Sequence, residues 1–212
     1  GMVNPDRDLI GGEYPVEVDE TFVGGETRGK GHGGHGMQTV AGAVEIRTLG
    51  MPRGSTKRVG QRFTQKHYAG RLRLLHIKTD SAKILEGFVT ANVLPESMVT
   101  TDGSPSYDGL VALGYRHTAV PLRGDPALAE KWLPMIHIVF SNLKTWLLGT
   151  HHGVSPQHLQ AYLNEFVFRF NRRFYPMSAF NSVLGIGARV AGPTRQGLYE
   201  GTWVHPNLTE AV

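Results

Sequence analysis

An alternation of apolar and charged residues near the start of the chain predicts the first β-strand. In the segment 15–23, Val16 and Val18 alternate with Glu17 and Asp19. A period of two residues places the valines on one face of a sheet and the acids on the other. Two glycines follow and predict a turn, so the strand is expected to end there.

The patterns farther along predict four more strands and four helices. Proline at the first helical position marks the start of three of these helices, and Gly149 is expected to end the third helix. The strands are expected at 37–46, 71–78, 97–101 and 115–120, and the helices at 82–91, 105–113, 134–148 and 156–173.

The order of these elements is β-β-β-α-β-α-β-α-α, which predicts an α/β fold. Three consecutive strands are expected to pair as antiparallel neighbours. The later strands alternate with helices and are therefore expected to run parallel. The result is a mixed five-stranded sheet flanked by helices, which is the order of ribonuclease H-like folds.

The length and composition favour one domain with short extensions. Of 212 residues, 1–14 are expected to be an N-terminal extension or a cloning remnant, 15–175 the ribonuclease H-like domain, and 176–212 an extension that packs on the core. Cysteine is absent, which excludes disulfide frameworks and thiolate zinc sites. No run of about 18 apolar residues and no basic-apolar leader is present. No membrane span is therefore expected, and the cytoplasm is the expected compartment.

Basic residues are concentrated in two regions, which favours a polyanionic partner. The net charge is +4, and the segment 47–78 carries nine basic residues and no acid. A second cluster, Arg169, Arg172 and Arg173, surrounds Asn171. Such patches can neutralise phosphates, although a solvated surface would have the same composition. We therefore expect a nucleic acid as the partner.

Two aspartates are predicted to meet at one edge of the sheet. Asp19 lies in the middle to late part of the first strand and Asp102 ends the fourth, and these strands are neighbours in the expected order. Like charges a few ångströms apart repel unless a cation separates them. Carboxylate oxygens suit Mg²⁺ or Mn²⁺, and paired metals can activate a phosphodiester. Asp80 or Ser81 is expected to cap the helix that follows, and Glu20 is expected to point to the opposite face from Asp19. The alternative is two unrelated surface aspartates at strand ends.

Three segments resemble the catalytic domain of ISXO-like bacterial insertion-sequence transposases, within the DDE recombinase superfamily. They are VEVDETFVGG (16–25), TTDGSPSYDGL (100–110) and the nearly forty residues 137–173. The resemblance implies a ribonuclease H-like fold, two Mg²⁺ or Mn²⁺ ions, and cleavage and strand transfer of DNA. It also implies element ends and target DNA as partners, with a homo-oligomer assembled on them. A ribonuclease H-like nuclease or a catalytically inactive DNA-binding domain remains an alternative.

The third active-site position lies on the long helix. The superfamily pattern has an acid followed seven residues later by Lys or Arg, which places both side chains on one helix face. Lys144 fits the basic position, and His137 stands seven residues before it. Asn142 is the alternative, but it lies about 160° around the helix from Lys144. We favour His137 as a third metal ligand, and a neutral ligand implies weaker metal binding than an acid.

The last predicted helix carries a further stripe of charge. Glu165, Arg169 and Arg172 are spaced by four and three residues, so they share one helix face, and they match the Glu/Arg/Arg signature of the family. The resemblance implies that the arginines, with Arg173 and Lys144, bind DNA phosphates while Glu165 orients Arg169. The alternative is an ion pair that only stabilises the helix. His32 and His35 in a glycine-rich loop are a weak zinc signal.

Overall fold

The computed structural model describes residues 2, 7–24, 37–48, 67–121, 128, 131–151, 154–188 and 194–200. The basic segment predicted from the sequence lies only partly within them, because its residues 49–66 fall outside. His32 and His35 also lie outside the described residues.

Five strands form one mixed sheet, as the sequence predicts. Its order is β3-β2-β1-β4-β5; β1, β2 and β3 pair antiparallel, and β4 runs parallel to both β1 and β5. The α/β, ribonuclease H-like architecture and the adjacency of the first and fourth strands are thus confirmed. The strands are β1 (Val16–Val23), β2 (Gln38–Thr48), β3 (His67–Ile77), β4 (Met98–Thr101) and β5 (Arg116–Ala119).

Helices occur at the four predicted positions, with differences at their ends, and two further α-helices of the described residues follow residue 175, where the sequence pattern predicts none. The segment predicted as a helix at 105–113 is a shorter 3-10 helix, Pro105–Leu110. Gly149 does not end the long helix, because it lacks the positive φ of a glycine cap. Ser81 rather than Asp80 is the N-cap residue of the first helix. The α-helices are α1 (Ala82–Asn92), α2 (Pro134–His151), α3 (Pro156–Asn171), α4 (Ala179–Gly187) and α5 (Arg195–Tyr199).

Each face of the sheet is covered by its own apolar cluster. Val16 and Val18 of β1 pack with α1 and the 3-10 helix. The cluster on the other face contains Ile136 and Leu143 of α2 together with α3. Because successive strand residues alternate between faces, Glu17 and Asp19 of β1 lie on the α2 side.

The outer edge of β3 is covered by α3. The Asn171 side chain bonds both backbone groups of Leu72, at 2.7 and 3.1 Å, and Gln160 Oε1 accepts the His76 N–H at 2.8 Å. These side chains replace the strand neighbour that an edge strand lacks. The contact fixes α3 at the far side of the sheet, with β2 between β3 and β1.

Candidate active site

Asp19 is a buried carboxylate in the middle of β1. Asp19 is only 7% exposed, and its Oδ1 accepts the backbone N–H of Glu20 at 2.8 Å. Burial raises the pKa of Asp19 to about 7, and the charges of Glu20 and Asp102 act in the same direction. Asp19 is therefore held where a negative charge is costly unless a cation lies nearby.

Asp102 is positioned by the turn that follows β4. Its Oδ1 accepts the N–H of Ser104 at 2.9 Å, and Gly103 between them has a φ of +81°, which glycine adopts without strain. Ser104 then caps the 3-10 helix by accepting the N–H of Ser106, and Pro105 occupies the first helical position. The sequence TDGSP thus turns the chain sharply and holds the Asp102 carboxylate at the end of the strand.

Glu20 joins the two aspartates, which strand alternation does not predict. Oxygen atoms of Asp19, Glu20 and Asp102 lie within 4.8 Å of one another. The expectation that Glu20 is directed away from Asp19 is wrong for the carboxylate. The β4 strand pairs with β1 only at Val16 and Glu17, so no residue of β4 pairs with Glu20.

Tyr107 of the 3-10 helix holds Glu20 in this cluster. The Tyr107 hydroxyl donates to Glu20 Oε1 at 2.6 Å from a fully buried position. Burial raises the pKa of Glu20 to about 7 against this hydrogen bond, and the charges of Asp102 and Asp80 raise it further. The pKa of Tyr107 is itself raised well above its usual value by burial and by Glu20, so the phenol remains a hydrogen-bond donor.

His137 is the side chain of α2 that reaches the cluster. Its Nε2 lies 3.4 Å from Asp19 Oδ2, and this buried nitrogen has no hydrogen-bond partner. Burial and the charge of Lys144 lower the pKa of His137, while Asp102 opposes them. The neutral imidazole that results is the form that can ligate a metal. Asn142 and Lys144 are exposed on the same helix, so the geometry favours His137 over Asn142.

The residues present fit a divalent cation. Within the described part of the chain, no Lys or Arg forms an ion pair with Asp19, Glu20 or Asp102. Three uncompensated carboxylates and an unpartnered imidazole nitrogen would each gain an interaction from such an ion. Carboxylate oxygens are the ligands of Mg²⁺ and Mn²⁺, and Asp19, Glu20, Asp102 and His137 would hold it.

Glu17 fixes α2 against the sheet, and it was not singled out from the sequence. It is 1% exposed, and its Oε2 accepts the N–H of Ile136 at 2.8 Å. This carboxylate therefore caps the first turn of α2, one residue before His137. Two features of the sequence could have indicated this role. Glu17 is a second acid on the same face of β1 as Asp19, and Leu133, which precedes α2, has no side chain that could cap the helix.

Gly42 allows α2 to lie close to β2 beside Asp19. It pairs directly with Asp19 across the β1–β2 ladder. A Cβ at this position would lie 2.7 Å from the Phe140 ring and 3.0 Å from Ile136. Only glycine leaves room for this approach, which brings His137 within reach of the sheet.

The predicted DNA-binding residues of α3 lie apart from the carboxylates. Arg169 Nε pairs with Glu165 Oε1 at 3.2 Å, whereas Arg172 and Arg173 bend back over the rings of Phe168 and Phe170. Arg173 also donates to the carbonyl of Ala69 on β3. All four therefore lie on α3 or the turn after it, at an edge strand that β2 separates from β1.

The comparisons with known proteins agree with this architecture. The family model of the ISXO2-like transposase domain matches residues 9–171, a span that begins before β1 and ends with α3. Neither a curated protein nor a solved structure matches the chain. None of the helices described here is long and apolar enough to cross a bilayer. The chain therefore belongs to the family of ISXO2-like transposase domains.

Proposed function

We propose that this protein is a transposase catalytic core that cleaves DNA at the ends of an insertion sequence and joins the cut strand to target DNA. Family membership supports a transposase function and implies DNA as the partner and divalent metal use. The observation that carries the proposal is the cluster of Asp19, Glu20 and Asp102. Uncompensated acids with raised pKa values, as at Asp19 and Glu20, are typical of functional sites.

The proposed roles follow from the contacts of each residue. Asp19, Asp102 and Glu20 hold Mg²⁺ or Mn²⁺, as a two-metal site, and His137 supplies a neutral nitrogen, with Asn142 as the alternative third residue. Such ions, when bound, activate the attacking oxygen and stabilise charge on the phosphoryl group.

Two further residues position the metal ligands. Tyr107 orients Glu20 through its hydroxyl, and Glu17 fixes the start of the helix that carries His137. Partners of this kind orient ligands without contacting the ion.

Cationic side chains on two helices are the proposed DNA contacts. Lys144 is exposed on α2, two turns beyond His137, where it can meet a phosphate near the cleavage site. Arg169, Arg172 and Arg173, with Glu165 as a positioning partner, neutralise phosphates farther away. We further propose that two or more copies of the chain assemble on the DNA.

A strand-transfer assay with element-end DNA tests the proposal. Joined products are expected with Mg²⁺ or Mn²⁺ and are expected to disappear on chelation and in Asp102→Asn. The matched control is Asp108→Asn, which makes the same change at an exposed aspartate of the 3-10 helix. Cleavage without joining would instead support a nuclease. DNA binding without cleavage under any metal would support an inactive DNA-binding domain.

A further inference from the structure

A cleft of about 350 Å³ lies at the β3 edge, on the far side of β2 from the carboxylates. Its walls come from the segment before β1, from β3 and from the end of α3. The cleft is lined by the Asn164 amide and by five charged side chains. These are Arg7, Asp8, Arg71, Arg73 and Arg172.

The arginines of this cleft are poorly compensated. Arg71 is neutralised by Glu45 at 2.7 Å. The Asp8 carboxylate is 91% exposed and lies 4.0 Å from Arg71. Within the described residues, no carboxylate lies within ion-pair distance of Arg7, Arg73 or Arg172.

Their existing contacts are with neutral groups. Arg7 donates to the Asn92 side chain at 2.9 Å. Arg73 donates to the carbonyls of Leu72 and Asp8, at 3.0 and 2.7 Å. The guanidinium of Arg172 lies over the Phe168 ring, 4.0 Å from its centroid. Three positive charges therefore face the cleft without a counterion among these contacts.

Burial makes this arrangement costly unless an anion enters. Arg73 is only 5% exposed, and burial lowers its pKa to about 9; the charges of Arg7 and Arg71 act in the same direction, and those of Glu45 and Asp8 oppose them. A desolvated guanidinium without a counterion is unfavourable. The planar fork of arginine donors matches the oxygens of a phosphate.

We propose that this cleft binds a backbone phosphate of DNA, as an anchor point separate from the carboxylate cluster. The proposal rests on the proposed function, since it takes DNA as the partner. DNA is favoured over a free anion because an exposed arginine of α3 lies next to one that lines the cleft. Arg172 lies one helical turn from Arg169, whose side chain is 65% exposed.

DNA binding in the presence of a chelator tests this site independently of cleavage. Fluorescence anisotropy with duplex element-end DNA is measured over a range of salt concentrations for Arg7→Gln, Arg172→Gln and the double variant. Arg73 is left intact because its loss from the interior could unfold the domain. The control is Arg116→Gln on β5, an exposed arginine at the opposite edge of the sheet.

The double variant is expected to bind DNA about tenfold more weakly, with a salt dependence shallower by about one in log–log slope, as expected for the loss of one phosphate contact. Arg116→Gln is expected to stay within about twofold of the parent, as expected for an arginine outside the cleft. Unchanged affinity and slope in the double variant would overturn the proposal. Circular dichroism of each variant verifies that it is folded.

Titration with inorganic phosphate separates the two sources of the anion. If phosphate binds the parent and not the double variant, while both bind DNA equally, the cleft takes a small anion only and the proposal is wrong. The DNA-binding assay contains a chelator, so its result does not depend on whether the protein catalyses strand transfer. Conversely, if the cleft does not bind DNA, the effect of Asp102→Asn on cleavage still tests the strand-transfer proposal separately.

Discussion

Two buried acidic sites on the same sheet differ in how their charge is compensated. Glu45 on β2 is fully buried, yet it accepts the N–H groups of Gly11 and Arg71 and pairs with the side chains of Arg71 and Arg47. Burial acts to raise its pKa, but the hydrogen bonds and charge of Arg71 outweigh burial and lower it. Asp19, only slightly more exposed, has a raised pKa instead.

The difference separates an acid that serves stability from acids available for chemistry. Glu45 has partners from its own chain, so its charge is already neutralised and it joins β2, β3 and the segment before β1. Asp19, Glu20 and Asp102 accept hydrogen bonds but pair with no Lys or Arg of the described residues. Burial of Asp19 and Glu20 and the repulsion within the cluster therefore make its negative charge unfavourable. Removing charge should therefore have opposite effects on stability at the two sites.

The largest expected effect is on cleavage by Asp19→Asn or Asp102→Asn. Each change removes a proposed metal ligand and should lower the rate by at least about 100-fold, because the metal supplies several kcal/mol of charge stabilisation. Stability without metal should be equal or higher, since carboxylate repulsion is relieved. Cleavage assays and thermal unfolding in chelator measure the two effects. Cleavage at the parent rate would contradict the metal site.

Glu45→Gln should act in the opposite way. It leaves Arg71 and Arg47 without their carboxylate, and a loss of about 2 kcal/mol in unfolding free energy is expected. The value lies below that of a fully buried pair because both arginines are about one-third exposed. Urea denaturation measures it, with cleavage by the folded fraction expected to be unchanged. A variant as stable as the parent would remove the contrast between the two sites.

Gly42→Ala tests whether the active site depends on the close approach of α2. The added methyl group must displace the Phe140 ring, which lies 2.7 Å from the Cβ position, and overpacking of this kind costs about 1–3 kcal/mol. Because His137 is on the same helix, cleavage should fall together with stability. The control is Gly149→Ala, where a Cβ meets open space; equal behaviour of both variants would refute the packing argument.

The topology was predictable from the sequence because it depends on local patterns. Alternation in β1 and proline at helix starts are short-range signals, and strand order followed from the sequence of elements. The position of the Glu20 carboxylate was not predictable, since it depends on Tyr107, 87 residues away. The spacing of seven residues between His137 and Lys144 favoured His137 as the residue of the long helix near Asp19, and its Nε2 lies 3.4 Å from Asp19 Oδ2. The lack of a hydrogen-bond partner for this nitrogen depends on tertiary packing and was not predictable.

Tyr107→Phe should lower the cleavage rate moderately, because it affects only the carboxylate cluster of Asp19, Glu20 and Asp102. It removes the donor that orients Glu20 and should lower cleavage about tenfold, in the range of changes to groups that orient metal ligands. Tyr115→Phe is the matched control, because the Tyr115 hydroxyl bonds the carbonyl of Val93 instead. If the two variants cleaved DNA equally well, Glu20 would need no positioning by Tyr107.

The smallest expected effect is the pH dependence that Glu45 contributes. Its folded pKa is lowered from 4.5, so its stabilisation is present above the unfolded pKa and is lost as pH falls through the folded pKa. The difference in unfolding free energy between the parent and Glu45→Gln should therefore shrink below about pH 4.5. Urea denaturation between about pH 3 and 6 measures it. A difference that grows on acidification would contradict the lowered pKa.

The covering of β3 by α3 bears on how the protein aggregates when it partly unfolds. An exposed edge strand is a template for pairing with other chains, and β3 is eleven residues long. Its backbone is masked by the side chains of Asn171 and Gln160, which separate from it whenever α3 detaches. Local opening of this one helix would thus expose a strand edge that favours β-type aggregation while the rest of the sheet is still folded.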